Sequence, residues 1–374
     1  MAEIGGKQKR AITLVNGTEK SASLGAGKLS RIARRRVARG GTLSTMADVA
    51  EVAGVSTASV SRVLNDPEKV SRDLRIRVEA AVEKLGYVRH GPARALAARR
   101  FHTIGAIVPT LGVATFAACI ETLQTRLESH GFSLLIGSSQ YDTDAEARQI
   151  RNLMERGIDG LMLVGQRRHP DIYRRLREAR IPYVCTYTID RDNGLCVGYE
   201  NSDGTRRMVD YLVQLGHRNI SVLTSPTHNN DRIAERFRGA VERIAEIGLP
   251  EPAIVEGPYE IPDGRAGLRT IMQRKPDTTA VVCTTDLHAI GAIAEARALG
   301  FAVPSRLSIT GFDDLDIVSE IEPPLTTVRV PSREIGERVA DMLIASIAGR
   351  PFTELVEFTM SLAVRSSTAP PGKV

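Results

Sequence analysis

"VSTASVSRVLN", Val55 to Asn65, is a poor helix by composition. Serine, threonine and valine are mediocre helix formers, and Arg62 is its single charge. Yet Val60, Val63 and Leu64 stand at i, i+3 and i+4, the spacing of one helical stripe. Ser56 is placed to cap its start, just after Gly54. With that stripe turned inward, the opposite face carries Thr57, Ala58, Ser61 and Arg62, two i, i+4 pairs side by side. A helix serving stability alone would carry Glu, Lys and Gln there. Short hydroxyl residues with one arginine instead let a helix lie close against another surface and hydrogen-bond to it. A helix entering a DNA major groove needs that combination. A Ser-rich helix with no such role is the plainer alternative.

The flanking residues read as two more short helices. Thr45 caps the first, with Asp48 three residues on to bind back to it. Val49, Ala50 and Ala53 form its apolar face, and Gly54 ends it. After "NDPEKV" a third helix is expected, capped by Ser71, lined by Leu74, Val78, Ala81, Val82 and Leu85, and stopped by Gly86. Residues 45–90 are therefore expected to form an all-α helix-turn-helix headpiece. Ahead of it, residues 1–44 hold ten Lys/Arg against two acids and read as a disordered basic tail or an over-extended start. Residues 45–100 hold ten basic residues against seven acids, and residues 101–374 hold thirty against thirty-five. A basic head on a mildly acidic body suggests a polyanion partner at one end.

Beyond Thr103 the pattern changes. Apolar runs such as "TIGAIVP", "IDGLMLVG", "IPYVCTYT", "NISVLTSP", "AVVCTTD" and "LSITGFDD" alternate with amphipathic stretches, among them Phe116–His130, Asp144–Arg156 and Thr205–Leu215. Continuous apolar strands between helices imply parallel sheets covered on both faces. Eight such runs exceed one compact sheet. The α/β body is therefore expected to be two Rossmann-like subdomains with a ligand cleft at the strand carboxyl ends. The four cysteines are scattered without metal spacing, so reduced, buried thiols are expected. No signal peptide or membrane span is apparent, and a cytoplasmic protein is expected. No G-x-S-x-G, G-x-x-x-x-G-K-[ST], H-E-x-x-H or G-x-G-x-x-G occurs, so no enzyme, cofactor or metal site is expected.

The stretch from Thr45 to Ala97 resembles the headpiece of the LacI/GalR family of bacterial transcription regulators. The resemblance continues through "LGHRNISVLTSP", "ERFRGA", "CTTDLHAIGA", "SITGFDD" and "PPLTTVRVPSREIG", covering roughly residues 45–368 in family order. It implies a helix-turn-helix headpiece (45–90), a hinge helix and linker (91–102), a periplasmic-binding-protein-like effector and dimerisation domain (103–368) and a tail (369–374). It implies base reading by Thr57, Ala58 and Arg62 with Ser61 between them, and phosphate contacts by Thr45, Ser56 and Ser59. In the hinge it implies a start at Pro92, a minor-groove wedge at Leu96, and Ala93 against the groove beside it. Arg89 and His90 depart there from the family's more usual Pro-Asn.

In the body the resemblance implies effector contacts by Arg236 and Asp286, with Thr115, Phe116, Asn230 and Tyr259 lining the pocket. A carboxylate accepts sugar hydroxyls, and a guanidinium holds hydroxyls or a carboxylate bidentately. As plainer roles, Asp286 could cap the helix that follows it, and Arg236 could pair with an acid such as Glu235. The implied function is a homodimeric regulator, a repressor of a carbohydrate or sugar-acid catabolic operon, reading a near-palindromic double-stranded operator under control of a small-molecule effector. A periplasmic-type sugar-binding protein is the alternative, opposed by the basic helical module in front.

Overall fold

The computed structural model describes residues 44–88, 100–191 and 195–372. The chain divides into two compact units, one up to Ala97 and one from Ala98 onward.

In the first unit, α1 (Met46–Ala53) opens with a complete capping box. Asp48 N donates to Thr45 Oγ1 at 3.3 Å, and Thr45 N donates to Asp48 Oδ2 at 2.8 Å. Gly54 ends the helix at φ +67°, in the left-handed region that a side chain would strain. After it, α2 (Thr57–Asn65) starts at Ser56, whose hydroxyl accepts from Ser59 N at 3.1 Å. A short turn, Pro67–Lys69, leads to α3 (Arg72–Leu85). Ser71 stands at its N-cap position but makes no side-chain capping bond, a departure from expectation. Val49, Ala50, Ala53, Val60, Val63, Val78 and Ala81 form the buried core, with Leu64, Leu74, Val82 and Leu85 half-buried around it. Tyr87 joins that core, and Ser44 Oγ donates to Leu85 O at 2.8 Å, tying the unit's two ends together.

The second unit alternates strand and helix. In chain order come β1 (Thr103–Val108), α4 (Ala114–Glu128), β2 (Ser133–Ser138), α5 (Thr143–Arg156), β3 (Gly160–Val164), α6 (Pro170–Glu178), β4 (Tyr183–Thr186) and β5 (Cys196–Gly198). These are followed by α7 (Asn201–Gln214), β6 (Ile220–Thr224), α8 (Asp231–Glu246), β7 (Ile254–Glu256), α9 (Ile261–Arg274), β8 (Ala280–Cys283), α10 (Asp286–Ala298) and β9 (Ser308–Asp313). The last elements are β10 (Thr326–Arg329), α11 (Ser332–Ile347), β11 (Leu355–Glu357) and β12 (Ser361–Ala363).

Two six-stranded sheets result, ordered β11-β5-β4-β3-β1-β2 and β12-β10-β9-β8-β6-β7. Among the described residues every pairing is parallel except β10 with β12. Strands β3 and β8 are buried at every position, as an unbroken apolar run between two helical layers requires, and β9 is equally buried although it carries Ser308, Thr310 and Asp313. Four strands escape a reading by hydrophobic runs: β7, β10, β11 and β12, all of three or four residues. The chain therefore builds the first lobe, crosses to the second after β5, returns with α11 and β11, and crosses again to β12. Helix α11 packs on α4 so closely that a Cβ on Gly336 would collide with the Cys119 carbonyl. The carboxyl ends of both sheets face the same cleft, because each parallel strand feeds its helix from that end.

Candidate functional site

In the first unit the outward face of α2 is laid out as its pattern demands. Val60 and Val63 are buried, Thr57, Ala58 and Arg62 are exposed, and Ser59 and Ser61 are half-buried. Several hydroxyls are already engaged within the unit. Thr45 Oγ1 donates to Asp48 Oδ2 at 2.7 Å, Ser56 and Ser59 Oγ lie 3.0 Å apart, and Ser61 Oγ accepts from Asn65 Nδ2 at 3.2 Å. Among the described residues, the Arg62 guanidinium makes no hydrogen bond or ion pair, leaving its five donors free. The hinge residues Pro92, Ala93 and Leu96 lie outside the described residues.

In the second unit the cleft is organised by the start of α8. Asn230 caps the helix, Oδ1 accepting from Ile233 N at 3.4 Å, and so aims Arg232 and Arg236 down one face, four residues apart. Arg236 is buried at 4% exposure with its donors spread over four partners. Nε donates to Asn201 Oδ1 (3.0 Å), Nη1 to Thr284 O (3.0 Å) and Nη2 to Tyr199 OH (3.3 Å), while Nη1 lies 3.1 Å from Asp313 Oδ1. Its guanidinium carbon sits 3.6 Å above the Phe312 ring centre, a cation–π contact. Burial opposes its charge, but Asp313 and Tyr199 outweigh that and hold its pKa above the ordinary value. Burial raises the pKa of Asp313, with Arg236 opposing the shift.

Around this pair the cavity is lined by Thr115, Phe116, Tyr141, Asn230, Arg232 and Tyr259, among others. Tyr259 donates to Asp313 Oδ2 at 3.2 Å and stacks on Tyr141 with ring centres 6.0 Å apart. Phe116 meets Tyr187 edge-on at 5.3 Å, and Tyr187 OH donates to Thr115 O at 3.0 Å. Thr115 Oγ1 is buried without a partner among the described residues, an unspent hydroxyl on the cavity wall. The cavity itself measures about 10 Å³, room for about one water molecule, so the cleft is shut. Its closure has a visible latch. Asp231 Oδ2 in the second lobe accepts from Gln166 N (2.5 Å) and Arg167 N (3.3 Å) in the first, and Arg167 Nη1 donates to Thr227 O at 3.2 Å.

Five of the six residues expected around an effector thus share one cavity: Thr115, Phe116, Asn230, Arg236 and Tyr259. Asp286 does not join them. It is fully buried, with Oδ1 accepting from Thr327 Oγ1 at 2.6 Å and Oδ2 from Leu315 N at 2.9 Å. Its pKa is pushed up to about 7, by burial first and then by the charge of Asp313. Thr285, not Asp286, caps α10, accepting from His288 N at 3.2 Å, and Glu235 pairs with Arg238 rather than Arg236. The carboxylate at the cavity is Asp313, which the motif "SITGFDD" contains at the carboxyl end of β9. Tyr141, Tyr187 and Arg232 also line the cavity without having been singled out. Arg232 carried a usable signal, lying one helical turn before Arg236.

Comparison with known proteins matches both units. Residues 45–90 fit the family described as "Bacterial regulatory proteins, lacI family", and residues 209–368 fit a "Periplasmic binding protein-like domain". The HTH-type transcriptional repressor CytR of Escherichia coli (strain K12) is 31% identical over 312 residues, spanning 83% of this chain and 91% of that protein. The HTH-type transcriptional regulator GntR of the same strain is 29% identical over 310 residues, 82% of this chain and 92% of that one. Among solved structures, the Lac repressor dimer bound to operator and the anti-inducer ONPF superimposes with a TM-score of 0.79 at 26% identity, covering 88% of this chain and all of that one.

Proposed function

The chain belongs to the lacI family of bacterial regulatory proteins, and we propose that α2 reads the operator while the cleft around Arg236 takes the effector. It is a DNA-binding transcriptional regulator with an effector-binding C-terminal domain. As a homodimer, the state in which its Lac repressor relative meets operator, it places two headpieces on a near-palindromic duplex. Thr57, Ala58, Ser61 and Arg62 face bases, and Thr45, Ser56 and Ser59 lie along phosphates through helix N-termini as much as through their already engaged hydroxyls. Arg62 is the one side chain there able to grip a guanine bidentately, while Ala58 offers contact to a thymine methyl. Leu96 wedges into the minor groove with Ala93 beside it.

The effector is a small polar molecule, a sugar or sugar acid in our reading, bound without turnover. Arg236, Asp313, Asn230 and Thr115 supply its hydrogen bonds, and Phe116, Tyr141 and Tyr259 its apolar faces. Asp286 acts behind them. It holds Leu315 and Thr327, and with them the strand end that presents Asp313. Effector control follows if the ligand binds the open and closed lobe arrangements with different affinity.

The observation that carries the reading is the unspent, exposed Arg62 on a helix whose other face is fully committed to the core. Duplexes selected from a random pool by the intact protein test it. Arg62→Ala is expected to lose discrimination between selected and scrambled duplexes while keeping salt-dependent nonspecific affinity. An equal fall in both would remove the base-reading role. A thermal-shift screen of sugars and sugar acids, repeated on Arg236→Ala, tests the cleft, since a ligand binding only the folded state raises the midpoint.

A further inference from the structure

Outside the cleft, a second pocket of about 360 Å³ lies between α6 and strands β4 and β5. Cys185 and Cys196 stand in its wall, directly opposite one another in the parallel β4–β5 register, and both belong to the apolar cluster under α6. Beside them is a cation that does not line the cavity around Arg236. The Arg168 side chain is wholly buried, and its Nη1 donates to Cys185 Sγ at 3.5 Å and to Tyr173 OH at 2.5 Å. Tyr173 OH is itself 3.6 Å from Cys185 Sγ. Glu146 takes part of the guanidinium charge at 3.4 Å from Nη2, and Arg168 Nε has no partner among the described residues.

We propose that Cys185 is a peroxide-reactive thiol and that Cys196 is its resolving partner. Thiols that sit beside a guanidinium and open to a pocket are the reactive class, whereas thiols sealed in apolar cores are inert. Cys119 and Cys283 belong to the second kind: all four cysteines are buried, but these two do not line the pocket, and burial raises the pKa of each. Burial also raises the pKa of Cys196, which suits a thiol that waits for an activated sulfur rather than attacking first. In the first step the Cys185 sulfur attacks one oxygen of hydrogen peroxide. The O–O bond breaks, the departing hydroxide takes up the thiol proton and leaves as water, and Cys185 becomes a sulfenic acid. In the second, the Cys196 sulfur attacks that sulfur, the S–O bond breaks, and a second water leaves with the Cys196 proton. The two thiols together supply the two electrons that reduce the peroxide. Neighbouring strands lie about 4.8 Å apart, inside the range of roughly 4.4–6.8 Å between Cα atoms that a disulfide spans.

The site stands behind the latch of the cleft. Arg168 Nη2 donates to Val164 O (3.2 Å) and Gly165 O (2.8 Å), holding the turn whose next two amides meet Asp231. The full chain, reduced and then exposed to hydrogen peroxide, supplies the test by peptide mass spectrometry with dimedone as a sulfenic-acid trap. The wild type is expected to form a Cys185–Cys196 disulfide reversed by dithiothreitol. Cys196→Ser is expected to accumulate the dimedone adduct on Cys185, at least about ten-fold faster than any adduct on Cys119 or Cys283. Equal labelling of all the cysteines, an unlabelled Cys185, or a disulfide joining a different pair would overturn the proposal.

Discussion

Asp286 and Asp313 are two buried carboxylates of one neighbourhood with different work to do. Asp313 balances Arg236 at 3.1 Å, so its removal leaves a buried guanidinium without its countercharge. Asp313→Ala is expected to cost about 3–5 kcal/mol of unfolding free energy, measured by urea denaturation of the ligand-free protein. Among the described residues Asp286 has no cation against it, and its pKa in the folded state is about 7 against an ordinary 3.8. The folded state therefore holds this proton more tightly than the unfolded chain does. Its contribution is fully present below the unfolded value and is lost as the pH climbs through the folded one. Asparagine imitates the protonated form, donating to Thr327 Oγ1 and accepting from Leu315 N. Asp286→Asn is accordingly expected to gain on the wild type in urea midpoint between about pH 4 and pH 7. A gap that stays constant across that window would show that Asp286 is ionised throughout.

Among the elements, α2 shows how a weak helix is kept in place by others. Its own residues favour the helix poorly, and the hydroxyl of Ser56 and the turn at Gly54 set where it starts. Val60 and Val63 then anchor it to α1 and α3. Among the described residues the headpiece core holds eight buried apolar side chains, so each one counts. Val60→Ala is expected to cost about 2 kcal/mol and to abolish operator binding while leaving the thermal-shift response to a cleft ligand intact. Loss of both activities together would mean that the two units do not fold independently.

For the whole molecule, the decisive feature is that the second unit is two lobes stitched by a chain that crosses between them more than once. The lobes meet at Asp231, where one carboxylate receives two backbone N–H groups from the opposite sheet's β3 turn. Burial alone would raise the pKa of that carboxylate, but Arg232 and the two amides more than offset it and hold it below the ordinary range. The latch is therefore charged at neutral pH. Asp231→Ala is expected to open the cleft, read as a larger radius of gyration in small-angle scattering of the ligand-free protein, with weaker binding of any ligand found by the screen. Unchanged scattering would assign closure to the aromatic contacts of Tyr141 and Tyr259 instead.

Local chemistry made much of this protein legible in its sequence. The stripe at Val60, Val63 and Leu64, the cap at Ser56 and the stop at Gly54 each act over a few residues, and a few residues sufficed to read them. The buried runs at β3 and β8 were equally plain, since a strand covered on both faces tends to be apolar throughout. Short strands such as β11 and β12 were not, because three residues carry no periodicity and their pairing is set by partners far along the chain. The same limit applied at the cleft. Arg236 stands in the second turn of α8 and Asp286 at the first position of α10, each on a helix that follows a strand, and nothing local distinguishes a side chain that faces the cavity from one that faces the strand behind it. Leu315 N and Thr327 Oγ1 hold the Asp286 carboxylate away from the cavity, while Asp313, at φ +122°, meets Arg236. The sequence by itself determined which elements form and where they end. Which carboxylate meets Arg236 was decided by tertiary contacts between residues tens of positions apart.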